Sequence, residues 1–155
     1  EYRAEVKSKL EESINTAAEV GCKKVITFTG MRFDGMDHDA AVKGCLDAWK
    51  EVLPLAEQKG VTLVLEHLNS RDGTHPMKGH PGYFGDDVDF CIDLIKQVGS
   101  PNFKLLFDIY HVSIMNGDII RARRVAGDLL SADHPGHFGH RLERLHRPGV
   151  HSHLG

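Results

Sequence analysis

Two short apolar runs in this chain each close on a carboxylate. Val61-Thr62-Leu63-Val64-Leu65 leads into Glu66, and Lys104-Leu105-Leu106-Phe107 leads into Asp108. Runs this short, apolar on both faces and set between helical patterns, read as strands of a parallel sheet covered on both sides. A charge at the last position of such a strand is costly to bury unless it has a partner or a chemical role. Two carboxylates at equivalent strand ends, one strand apart, point to a shared metal ion or an acid–base pair.

The pattern around these runs repeats. Val6, Leu10, Ile14, Ala17 and Ala18 share one helical face, Gly21 follows, and a third apolar run begins at Val25. Asp39 is placed to cap a second helix with the stripe Val42, Cys45, Leu46, Trp49, Val52, Leu53 and Ala56, which Pro54 should kink and Gly60 should stop. A long loop over 67–85, rich in Gly, Pro and His, separates the second run from a third helix. That helix is capped by Asp86 or Asp87 and ended by Gly99 and Pro101, and a shorter one starts near 116–118. Strands are therefore expected over 24–29, 61–66 and 104–108, with successive strand ends about 40 residues apart, a spacing that suits βαβ units with right-handed crossovers. The fold class is α/β, either a doubly wound sheet or part of a βα-barrel. No G-x-G-x-x-G follows any strand, which disfavours a dinucleotide fold. Three strands cannot close a barrel that needs eight, so a barrel reading makes the chain a partial one.

Composition narrows the function classes. With 41% hydrophobic and 26% charged residues the chain reads as an ordinary soluble protein, without an apolar stretch of membrane-spanning length or a signal peptide. A net charge of −3 gives no electrostatic case for nucleic acid or an anionic membrane. Cys22, Cys45 and Cys91 lie far apart with no C-x-x-C, which suits reduced thiols and a cytoplasmic location. The charge usage changes near Arg121. Residues 1–120 hold ten Lys, three Arg and 19 acids, whereas 121–155 hold six Arg, no Lys, three acids and six of the eleven His. The expected division is a folded part over 1–121 and an Arg/His/Gly/Pro-rich tail over 122–155, non-native or poorly ordered.

Glu66-His67-Leu68-Asn69-Ser70-Arg71 and Met77-Lys78-Gly79-His80-Pro81-Gly82-Tyr83-Phe84 resemble the xylose-isomerase-like TIM-barrel superfamily. The resemblance continues through residues 98–111, which end in Asp108-Ile109-Tyr110-His111, and through Ile114-Met115-Asn116-Gly117-Asp118. It covers about 60–121 and is nearest to the hydroxypyruvate isomerases, with ketose 3-epimerases close by. It implies a partial (β/α)8 barrel holding roughly its fourth to sixth strands. It also implies that Glu66 and Asp108 bind a divalent metal, that Glu66 is one of two acid/base groups, and that His111 lies beside the substrate. The family's other two ligands, with its second catalytic glutamate, come from the seventh and eighth strands, and no motif for them follows Arg121. Family members usually carry Pro where this chain has His67, which affects local geometry more than the role of Glu66.

The implied chemistry is isomerisation of a small hydroxy-carbonyl compound such as hydroxypyruvate. A carboxylate moves a proton between adjacent carbons while a divalent ion polarises the carbonyl. Oxygen and imidazole donors suit Mg, Mn or Co, with Zn also compatible. Asn69 and Arg71 are open to two readings, binding substrate oxygens or tying down the long loop. His75 and His80 read as loop histidines, and the tail histidines match no ligand spacing. The expected partners are a sugar or hydroxy-keto acid, with no nucleic acid or membrane, and open sheet edges invite self-association. The rivals are a 3-epimerase or dehydratase, an endonuclease on the same barrel, and an inactive truncated or split-barrel piece. The charge of residues 1–120 disfavours the endonuclease.

Overall fold

The computed structural model describes residues 2–75 and 78–131. Three strands, β1 (Lys24–Thr27), β2 (Thr62–Glu66) and β3 (Phe103–Leu106), form one parallel sheet in the order β1-β2-β3. Register runs Ile26–Val64–Lys104, with Glu66 opposite Leu106. This is a partial barrel wall of three parallel strands with flanking helices, in the fold class the sequence indicates.

Helix α1 (Tyr2–Glu19) leans on β1, α2 (His38–Lys59) on β2, and α3 (Val88–Val98) on β3. Each helix boundary has a local cause. Asp37, rather than the expected Asp39, caps α2 by accepting the Ala40 N–H at 2.7 Å, because the cap must stand outside the first turn that Asp39 occupies. Gly60 ends α2 at φ 64°, in the left-handed region where glycine carries no steric penalty. The helix runs through Pro54. Asp87 caps α3 through the Phe90 N–H at 2.8 Å. Two short helices follow, α4 (Ile109–Met115) and α5 (Ile119–Ala126), the second capped by Asp118.

The core lies on one side of the sheet. Leu63, Leu65, Phe103 and Leu105 pack against Ile14, Trp49, Val52, Ile92 and Ile95. The Trp49 and Phe103 rings stand 4.9 Å apart, and the Trp49 Nε1–H donates to Thr27 Oγ1 at 3.0 Å, so the indole is buried with its polar atom satisfied. On the other side β2 has the two-sided cover expected, Val64 being 2% exposed, but the edge strands do not. Burial alternates along β3, and at β1 Ile26 and the following Phe28 remain 47% and 50% exposed. In a closed barrel that inner face is filled by side chains from the remaining strands.

The expected boundary at 121/122 falls inside α5. Ala122 and Ala126 are buried in the core, Leu130 bridges Leu105 in parallel, and the Ser131 N–H donates to the Leu105 carbonyl at 3.2 Å. The rest of the expected tail, 132–155, lies outside the described residues. No helix among the described residues is long and apolar enough to cross a membrane.

Candidate metal and active site

Residues 66, 108 and 111 meet beyond the C-terminal end of the sheet. Glu66 is the last residue of β2, and Asp108 lies two residues past its register partner Leu106. One ligand-type atom from each of Glu66, Asp108 and His111 lies within 4.8 Å of the other two. Glu66 shares its face with Val64, the half-open side of the sheet, because strand side chains alternate. His67 therefore points the other way and is fully buried, its Nε2–H donating to the Asp86 carbonyl at 2.9 Å.

Asp108 is not a strand residue, contrary to expectation. β3 stops at Leu106, and Asp108 is the N-cap of α4, its Oδ1 accepting the N–H groups of Tyr110 at 2.7 Å and His111 at 3.4 Å. The first amides of a helix lack intrahelical partners, and an aspartate just ahead of them supplies one. The cap also places His111 one turn into the helix that Asp108 starts, so the two side chains stay neighbours.

The electrostatics favour a cation. Burial, and then the charge of Asp108, push the Glu66 carboxyl above the usual carboxylate range. Two close carboxylates oppose each other's ionisation, and a divalent ion between them removes that conflict. The residues present thus fit a divalent metal of the Mg, Mn, Co or Zn kind, with Glu66 and Asp108 as its oxygen donors. Burial holds the His111 imidazole below its ordinary value, with Asp108 opposing and His80 reinforcing that shift.

The other two candidates bind protein rather than open space. Asn69 is fully buried and donates to the Lys78 carbonyl and to His111 Nδ1, both at 2.7 Å. Arg71 is exposed, and its Nη1 donates to the Ile114 carbonyl at 3.0 Å, which is the loop-tying alternative. The contacts that fasten the loops around the site had no sequence signal. Tyr83 is buried, its hydroxyl donating to the Glu66 carbonyl at 2.9 Å and accepting the Thr29 N–H at 3.1 Å, so it fastens the ends of β1 and β2 together. Arg32 reaches from the loop after β1 to Asp86, which also accepts from Ser70 at 2.6 Å. Such contacts join loops far apart in sequence, and no periodicity announces them.

A sequence model of the family described as xylose isomerase-like TIM barrel matches residues 1–150. The chain is 27% identical over 135 residues to a 2-oxo-tetronate isomerase of Cupriavidus necator, covering 84% of this chain and 47% of that protein. It is 30% identical over 115 residues to a Mus musculus protein assigned as a hydroxypyruvate isomerase, covering 71% of this chain and 39% of that protein. The chain thus spans less than half the length of these two relatives. Among solved structures, D-psicose 3-epimerase from Clostridium cellulolyticum H10 superposes with a TM-score of 0.69 at 21% identity, over 83% of this chain and 43% of that one. At that identity the likeness establishes the fold.

Proposed function

The chain belongs to the xylose isomerase-like TIM-barrel family, and from that premise we propose that its three strands carry half of a metal-assisted isomerase site for small hydroxy-carbonyl substrates of the hydroxypyruvate kind. The observation that carries this reading is the meeting of Glu66, Asp108 and a ring nitrogen of His111 within 4.8 Å at the strand ends. The names of the two relatives support an isomerase, and the donor set supports a hard or borderline divalent ion.

Glu66 and Asp108 would hold the ion, which would supply Lewis-acid polarisation and a template for the substrate's oxygens. Glu66, as one of two acid/base groups, would take the proton from one carbon and return it to its neighbour while the hydroxyl proton passes to the former carbonyl oxygen, a task for a carboxylate positioned at a strand end rather than on a mobile loop. Asp108 anchors through one carboxylate oxygen to the start of α4 and so presents a fixed charge to Glu66. His111, held from behind, contacts a substrate oxygen. Tyr83 fixes the main chain under Glu66.

Calorimetric titration with Mn2+ tests the metal site. Binding is expected to be weak and to fall by more than about tenfold in both Glu66→Gln and Asp108→Asn, since even outer partners of a metal ligand are worth that much. Unchanged binding in either variant would remove that residue from the site. Turnover of hydroxypyruvate by this chain alone is expected to be negligible, because family members draw two further ligands and a second glutamate from other strands. Epimerisation of a ketose in place of isomerisation would move the assignment to the epimerase branch.

A further inference from the structure

Asn69 lies three residues beyond Glu66, with its side chain fully buried. Its amide nitrogen donates to the Lys78 carbonyl at 2.7 Å and to His111 Nδ1 at 2.7 Å, and its own backbone N–H points at the same Nδ1 from 3.2 Å. Its Oδ1 accepts the Asp72 N–H at 2.9 Å. These partners fix the amide orientation, because a carbonyl on one side demands a donor and an N–H on the other demands an acceptor. A backbone N–H only donates, so Nδ1 of His111 accepts. A neutral imidazole that accepts at Nδ1 carries its proton on Nε2.

We infer that Asn69 is a positioning residue that locks His111 in its Nε2–H tautomer, so that His111 offers a hydrogen bond to a substrate oxygen beside Glu66 and Asp108 and not a lone pair to their cation. Proximity alone would admit His111 as a third ligand. A histidine that binds metal donates through its other nitrogen to a carbonyl or carboxylate. Asn69 imposes the reverse arrangement: a proton on Nδ1 would face two N–H donors. The cradle is closed by Gly79, where a Cβ would lie 2.6 Å from Asn69 Oδ1, so only glycine lets that backbone cross the amide. The partner this predicts is a small molecule presenting a carbonyl or hydroxyl oxygen. That identification rests on the isomerase reading above, whereas the tautomer does not.

Nitrogen NMR of the full chain with labelled histidine tests the lock, His111 being assigned by the loss of its signals in His111→Gln. In the native chain His111 Nδ1 should show the shift of an acceptor nitrogen and Nε2 that of an N–H, and both should persist when Mg2+ or Zn2+ is added. Asn69→Asp removes the side-chain donor and puts a carboxylate at the same place while the backbone N–H stays, so it should raise the fraction of His111 protonated at Nδ1 above that of the native chain. A scalar coupling across the hydrogen bond between an Asn69 nitrogen and His111 Nδ1 gives the same information without any variant. A protonated Nδ1 in the native chain, loss of the Nε2–H on adding metal, a missing coupling, or an Nδ1–H fraction that does not rise in a folded Asn69→Asp would each overturn the inference. None of these readouts requires turnover, so failure of the isomerase reading and failure of the lock are told apart.

Discussion

Asp108 carries two duties in one side chain, and substitution can separate them. Its Oδ1 caps α4 through Tyr110 and His111, and its charge bears on Glu66. Asparagine caps a helix about as well as aspartate, whereas alanine costs about 1 kcal/mol. Asp108→Asn should therefore keep the urea midpoint close to the native value, Asp108→Ala should lower stability by about 1 kcal/mol, and both should lose Mn2+ binding alike. Equal destabilisation by the two would show that the cap does not work through the side-chain oxygen. Tyr83→Phe is a complementary case. It leaves the ring in place but strips a donor from the Glu66 carbonyl and an acceptor from the Thr29 N–H. Leaving two half-buried main-chain groups short of partners should cost about 1 kcal/mol or somewhat more, read from denaturant melts.

At the scale of elements, the loops after β1 and β2 are joined by a carboxylate. Arg32 holds both oxygens of Asp86, at 2.7 Å and 3.0 Å, while Ser70 donates to one of them. Burial pushes the Asp86 carboxyl up, but the hydrogen bonds from Arg32 and Ser70 outweigh it and leave the group below the ordinary carboxylate range. A carboxylate held lower in the folded chain than in the unfolded one adds stability that is complete above the unfolded value. That stability is lost as pH falls from there through the folded value. Urea midpoints should therefore drop over that acid window in the native chain and drop less in Asp86→Asn. Equal acid sensitivity would show that other groups set it. This junction also marks where sequence stops being informative. The β2 run between Gly60 and Glu66 was legible, because an apolar stretch and a helix-ending glycine are local signals. Helix α4 was not, since seven residues are too few to show a stripe, and the apolar Phe107 extends the β3 pattern past the strand's true end. Asn69 was picked out as a candidate, but its work depends on His111, 42 positions away, and its direction is a property of the fold.

At the scale of the molecule, the sheet's two edges are unequal. The outer side of β3 is met by Leu130, whose parallel bridge to Leu105 is followed by the bond from Ser131. The outer side of β1 has no strand partner among the described residues. Beside that edge stand Ile26 and Phe28, each about half exposed, on the face that a closed barrel would fill. An open strand edge next to apolar side chains is a template for pairing with another chain, and a lysine placed on it opposes such pairing because stacking copies would bring like charges together. The chain is therefore expected to associate as its concentration rises, and Ile26→Lys should shift it back toward the monomer. Ile26 lies on the side away from Trp49, so the substitution should leave the helix-covered core and the indole fluorescence of Trp49 unchanged. Sedimentation velocity over a concentration series of both proteins reads the effect directly. A native chain that stays monomeric at every concentration would show that the β1 edge is already covered.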